Sequence, residues 1–204
     1  MRMAFFFDQT RCIGCNSCTV SCKDYYNVNP GKVRWRKHET YDRPEDAGVF
    51  YSLVMACNHC VEPACMTACG AGAITKRADG IVMVNRNKCQ ELKSCIDACP
   101  FAEPGIADDR QEYDRETKWI VQHPMQKCNM CAELQDNGEK PVCERSCPAR
   151  AIEVGDFDEL MRKHPGAEQV NPTKYPYAYI NNTNDTKPSL IIKPRKPLKV
   201  SGVI

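Results

Sequence analysis

No apolar run in these 204 residues approaches the roughly 18 that a membrane-spanning helix takes. The apolar start, Met1–Phe7, ends at Asp8, far short of a secretory core, and no twin-arginine pair lies near it. A soluble chain is expected, with no export signal or spanning segment of its own. Charge of one sign is missing too: 28 Lys and Arg against 26 Asp and Glu leave a net +2. Aromatics are scarce at 8%, and no basic, aromatic-lined groove is legible, which argues against nucleic acid as a partner. No carboxylate pair and no Ser/His/Asp spacing marks a catalytic centre. Apolar residues reach 42% only with cysteine included, so the ordinary hydrophobic core is thin.

Cysteine is what the chain has in excess: fifteen residues in four clumps. Cys12, Cys15, Cys18 and Cys22 form C-x2-C-x2-C-x3-C, and Cys57, Cys60, Cys65 and Cys69 form C-x2-C-x4-C-x3-C. Cys89, Cys95 and Cys99 form C-x5-C-x3-C-P, and Cys128, Cys131, Cys143 and Cys147 form C-x2-C-x11-C-x3-C-P. The first is the bacterial ferredoxin run, in which three thiolates wrap one iron–sulfur cluster and the fourth ligates another. Four such runs predict two pairs of clusters and an electron-carrying chain. Disulfides fit poorly, because the count is odd and neighbours three residues apart would all need distant partners. Zinc is the competing metal, and Cys128–Cys131 with Cys143–Cys147 alone could be a zinc ribbon. Three cysteines within seven residues do not suit one tetrahedral ion held by paired knuckles. If the thiolates hold clusters, metal binding is folding energy, and the apoprotein is expected to be largely unfolded.

Between the clumps the pattern repeats a thiolate loop, a short helix, a cysteine and a strand, which argues for duplication of a two-cluster module. Ala4–Phe7 and Phe50–Met55 read as short strands delivering the first two clumps. Thr19–Tyr26 reads as a helix carrying Cys22. Ala73–Lys76 and Ile81–Val84 flank Ala78-Asp79-Gly80 and predict a hairpin. Lys118–Gln122 precedes the fourth clump and Ala151–Val154 follows it. Asp156 and Glu159 predict a capped helix over Phe157–Lys163. Asn29–Gly48 reads as irregular, broken by Pro30 and Pro44. From Pro165 onward, Pro165, Pro172, Pro176, Pro188, Pro194 and Pro197, with Lys187, Lys193, Arg195, Lys196 and Lys199, predict an extended basic arm. The fold class is α+β: two ferredoxin-like two-cluster modules related by pseudo-symmetry, with a C-terminal arm. The outer module takes residues 1–50 and 115–164, the inserted inner module 51–114, and the arm 165–204.

The four clumps, their order, the eleven-residue insertion in the last and the hairpin between the middle two resemble one family. It is the four-cluster ferredoxin-like electron-transfer subunit of dimethyl sulfoxide reductase-type molybdoenzymes; Lys187–Pro194 is similar to that family's ending. The resemblance implies crossed ligation. Cys12, Cys15, Cys18 and Cys147 would hold a first [4Fe–4S] cluster, and Cys128, Cys131, Cys143 and Cys22 a second. Cys57, Cys60, Cys65 and Cys99 would hold a third, and Cys89, Cys95 and Cys69 the fourth. It also implies a non-catalytic subunit, with no molybdopterin bound by this protein itself. Its partner would be a molybdopterin (bis-guanine-dinucleotide) catalytic subunit near the first cluster, with a second redox partner near the last, such as a quinone-binding membrane subunit. Location would be cytoplasmic, or periplasmic by co-export with a signal-bearing partner, with membrane association through a partner. A free-standing polyferredoxin and the small subunit of a molybdoenzyme acting on phenols stay open as alternatives.

The third clump departs from the pattern, because position 92 is Leu92 where a cysteine is expected. Leucine cannot bind iron, so a [3Fe–4S] cluster is the preferred reading, making three [4Fe–4S] and one [3Fe–4S] in all. A [4Fe–4S] cluster completed by water, hydroxide or Glu91, or an empty site, remains the alternative. Respiratory nitrate reductase's related subunit resembles this, with a non-ligand residue at the matching position. His59 reads as a hydrogen-bonding loop residue, and Met55, Met66, Met125 and Met130 as packing around clusters. Trp35 and Trp119 read as packing residues. Arg34-Trp35-Arg36-Lys37-His38 reads as a solvated loop rather than a docking face. Gly70 stands where Pro100 and Pro148 follow the equivalent cysteines.

Overall fold

A computed structural model describes residues 1–42, 50–113, 116, 118–171 and 185–195. Strand β1 (Met3–Asp8) is the middle of the molecule, as its run of three phenylalanines demands. It pairs antiparallel with β6 (Ile152–Asp156) and parallel with β8 (Leu190–Lys193), and β8 pairs with the short β7 (Glu168–Gln169). The sheet order is therefore β6-β1-β8-β7. Among the described residues two further antiparallel pairs form, β2 (Arg36–Asp42) with β3 (Phe50–Ala56), and β4 (Ile74–Lys76) with β5 (Val82–Val84) as a hairpin. Gly80 takes the left-handed turn between β4 and β5 with φ 87°. The adjoining Asp79 carbonyl accepts the Met3 N–H at 2.8 Å, which ties this hairpin to β1.

The helices are short because each carries a cysteine clump: α1 (Ser17–Tyr25), α2 (Ala64–Thr67), α3 (Ser94–Asp97) and α5 (Val142–Arg145). Helix α4 (Ala132–Asp136) occupies the insertion of the fourth clump. Helix α6 (Phe157–Lys163) starts at Asp156, whose carboxylate accepts the Asp158 and Glu159 N–H groups at 3.1 and 3.3 Å. Helix α1 packs on α5, and α2 on α3. The same hydrogen bond fastens both pairs. Ser17 Oγ donates to the Ser146 carbonyl at 2.8 Å, and Ser94 Oγ donates to the Ala68 carbonyl at 2.7 Å. Among the described residues no helix is long and apolar enough to cross a membrane.

Four expectations are corrected. The stretch read as irregular contains β2, because pairing with β3 satisfies a backbone that the polar side chains left undetermined. Within it, the supposed solvated loop buries Arg36, 4% exposed, over the Phe5 ring at 4.5 Å. The described part of the C-terminal arm does not stand off from the body. Leu190, Ile191 and Ile192 fill the sheet's interior, an apolar β-prone run outweighing the prolines beside it. Pro44, Pro172, Pro176, Pro197, Lys196, Lys199 and the module boundary at 115 lie outside the described residues. Lys118–Gln122 forms no strand; Trp119 is buried under the Arg86 guanidinium at 4.0 Å.

Candidate metal centre

One turn recurs in all four loops. The residue before the second thiolate position is left-handed each time: Gly14 (φ 70°), His59 (43°), Glu91 (55°) and Met130 (57°). Only the first is glycine, and left-handed non-glycine residues persist where surroundings over-determine them. A second left-handed residue lies three positions after the last cysteine of three clumps: Gly72 (φ 59°), Ala102 (49°) and Arg150 (49°). Their N–H groups return to the carbonyls of Cys69, Cys99 and Cys147 at 3.0, 3.2 and 3.1 Å. Leu92 sits between left-handed Glu91 and Lys93 (φ 62°), as Cys15 sits between Gly14 and Asn16 (φ 60°). The third loop thus keeps the backbone turn of the first and differs in having Leu92 where the first has Cys15.

The thiols gather across clumps. Cys12, Cys15, Cys18 and Cys147 line one cavity. Cys69, Cys89 and Cys95 line another, together with Glu91 and Leu92. Between these ends, Cys22 feels the charges of Cys143 and Cys131, and Cys128 those of Cys22 and Cys143. Cys60 feels Cys57 and Cys99, and Cys65 feels Cys57 and Cys60. The groups also touch electrostatically in a row. Cys18 couples to Cys22 and Cys143, Cys128 to Cys57, and Cys65 to Cys95.

Burial dominates the chemistry of these thiols. It pushes Cys22, Cys60, Cys65 and Cys99 up to about 12, and Cys95 to about 11. Thiols this reluctant to ionise become thiolates only with a cation to bind. Compensation comes from hydrogen bonds and two buried cations, Arg36 and, beside Cys65, Lys127. Ala151 N–H donates to Cys147 Sγ at 3.2 Å, Met125 N–H to Cys89 Sγ at 3.3 Å, and Met130 N–H to Cys128 Sγ at 3.3 Å. Thr186 Oγ1, from the C-terminal segment, donates to Cys60 Sγ at 3.2 Å. Arg36 is held above its ordinary value: burial opposes its charge, but the thiolates of Cys143, Cys128, Cys18 and Cys22 outweigh it.

Met55, Met125 and Met130 are buried and Met66 is partly so, all packed into the clusters of apolar residues around the thiols. Trp35 donates its indole N–H to Gln126 Oε1 at 2.9 Å. His59 is 0% exposed, and its Nδ1 accepts the Val82 N–H at 2.9 Å. Burial and the nearby Lys127, Arg36 and Lys76 hold it neutral, so the ring proton is on Nε2. That N–H and Arg36 Nη2 are both buried without a hydrogen-bond partner.

These features fit iron–sulfur groups better than single ions. Among the described residues no three His, Cys, Asp or Glu side chains converge closely enough for one metal ion. At both ends the cysteines line a cavity, which suits a polynuclear core better than a single zinc ion. Inorganic sulfide would also supply the acceptors that the orphaned N–H groups lack. Sequence reasoning missed Arg36; the signal available was that so many buried thiolates need a countercharge.

Comparison with known proteins agrees. Residues 48–157 match the 4Fe-4S dicluster domain. An anaerobic dimethyl sulfoxide reductase polypeptide of Escherichia coli (strain K12) is 38% identical over 207 residues, covering 97% of this protein and 91% of that one. A tetrathionate reductase subunit of Salmonella typhimurium (strain LT2) is 31% identical over 83% of this protein and 66% of that one. The arsenate respiratory reductase iron–sulfur subunit of Shewanella sp. (strain ANA-3) is 26% identical over 80% and 85%. With its four thiol loops, mixed α/β fold and end-to-end similarity, this protein belongs to the 4Fe-4S dicluster family of reductase iron–sulfur subunits.

Proposed function

We propose that the protein is a non-catalytic electron-transfer subunit that relays electrons between a molybdopterin catalytic subunit and a second redox partner. The observation that carries it is the unbroken row of thiol groups, from the Cys12 cavity through the Cys22 and Cys57 groups to the Cys69 cavity. Bound iron–sulfur clusters supply one-electron acceptors; the protein's part is to hold, space and insulate them. Cys12, Cys15, Cys18 and Cys147 hold the first; Cys128, Cys131, Cys143 and Cys22 the second; Cys57, Cys60, Cys65 and Cys99 the third. Cys89, Cys95 and Cys69 hold a fourth, of the [3Fe–4S] type, with Leu92 at the missing corner. The shared left-handed turns and the matching Ser17 and Ser94 hydrogen bonds support two pseudo-symmetric modules, 1–50 with 115–164 and 51–114. Buried Met125 and Met130 and the C-terminal strand exclude water from the row.

The relatives' names, which span dimethyl sulfoxide, tetrathionate and arsenate reductases, favour a large catalytic partner. The Cys12 loop, with Cys15 and Ile13 exposed, is the end that faces it. A membrane quinone-binding subunit is the proposed partner at the Leu92 end. The test is purification from the native host under anaerobic conditions. Co-elution with a molybdenum-containing polypeptide at fixed stoichiometry is expected. An iron-loaded protein that elutes alone and reduces several enzymes favours the free polyferredoxin.

A further inference from the structure

We infer that Arg36 is the potential-setting residue of the junction between the first two clusters, a positive charge shared by the thiolates of Cys18, Cys22, Cys128 and Cys143. The inference rests on the proposed ligand sets and concerns this protein's own guanidinium.

The side chain sits in an unusual place for arginine. It leaves β2 toward the interior, ends 4.5 Å over the Phe5 ring, and is 4% exposed. No carboxylate is within ion-pair distance of it among the described residues; Lys37, its neighbour, takes Glu103 at 3.7 Å. Burying an unpaired guanidinium is costly, so something must offset it. Phe5, the ring beneath it, packs in one buried group with Cys18, Cys128 and Cys143. The negative charges facing the guanidinium are these thiolates, that of Cys22 and, more weakly, the buried Glu103 carboxyl, which burial pushes up to about 7. Three of the four thiolates, Cys22, Cys128 and Cys143, belong to the proposed second cluster, and Cys18 belongs to the first. Nη2 has no protein partner, which leaves an N–H for a sulfur acceptor. Among the described residues no cation figures in the electrostatics of Cys95; the other buried cation, Lys127, gives its Nζ to the Val82 and Cys128 carbonyls at 2.5 and 2.9 Å and acts on Cys65 of the proposed third cluster.

Reduction adds negative charge to a cluster, so a fixed cation beside it favours the reduced form and raises the potential. Hydrogen bonds to sulfur act in the same direction. Arg36 therefore biases electrons toward the second cluster most strongly, the first less, and the fourth least.

The experiment is an EPR-monitored redox titration of the purified complex carrying Arg36→Gln or Arg36→Lys, with the second cluster's signal assigned by Cys131→Ser. Arg36→Gln is expected to lower the reduced-to-oxidised ratio of the second cluster about tenfold or more at fixed potential, which is about 59 mV for one electron. A smaller fall is expected in the first cluster and none in the fourth. Arg36→Lys keeps the charge but not the planar fork, and is expected to show a smaller fall in the same two clusters. An unchanged second cluster, or an equal shift in all four, overturns the inference. Should Arg36→Gln fail to fill with iron, Arg36→Lys decides by the same localisation. Wild-type protein lacking four separate signals would instead sink the ligand assignment itself.

Discussion

Replacing Leu92 by cysteine should convert the fourth site from a trinuclear to a cubane cluster. The loop around it already has the required backbone, since Glu91 and Lys93 repeat the left-handed pair that flanks Cys15. Leu92 is 58% exposed, and its side chain lies over Gly70, where an added Cβ would meet it at 3.5 Å. An exposed substitution of this kind shifts stability by no more than about 0.5 kcal/mol, so a spectroscopic change reports ligation and not unfolding. Iron should rise from about 15 to about 16 atoms per polypeptide, three cubanes plus a trinuclear centre becoming four cubanes. EPR of the oxidised protein should lose the trinuclear signal completely and gain a fourth cubane signal on reduction. Leu92→Ala, as control, should keep both the signal and the iron count. A trinuclear signal that persists in Leu92→Cys, or its absence from the wild type, would refute the reasoning.

Ile191→Ala should destabilise the folded protein by about 2–5 kcal/mol in denaturant titration, because the side chain is 0% exposed at the centre of the four-stranded sheet. Ser17→Ala and Ser94→Ala each remove one matched hydrogen bond, worth about 1 kcal/mol. The first should perturb only the cluster beside Cys18 and Cys147, and the second only that beside Cys69 and Cys95, in EPR line shape. Stripping iron with a chelator should collapse the far-ultraviolet circular dichroism, since the thiol groups form much of the core. Reassembly with iron and sulfide should weaken as pH falls. The thiols of the unfolded, iron-free protein must each release a proton on binding, and acid favours the protonated side of that exchange. Equal assembly at pH 6 and 9 would contradict this.

Much of the site was legible because cluster ligation is local: spacing set the loops, and Gly14, Pro100 and Pro148 marked their turns. The β4–β5 hairpin and the Asp156-capped helix followed for the same reason, since turn and cap chemistry act over a few residues. What stayed hidden depends on distant partners. Arg36 reads as one more charge in a basic stretch until β2 pairs with β3 and points it at Phe5. Leu190–Ile192 reads as part of a proline-rich tail until β1, at the other end of the sequence, offers it an edge. Which thiols meet is not fixed by spacing alone either; the family resemblance supplies the pairing, and that pairing is what we propose.

Iron, zinc and acid-labile sulfide, measured together on anaerobically purified protein, test the four-cluster row most directly. About 15 iron atoms per polypeptide, matching sulfide and negligible zinc are expected. Stoichiometric zinc, or a folded preparation without sulfide, would contradict it.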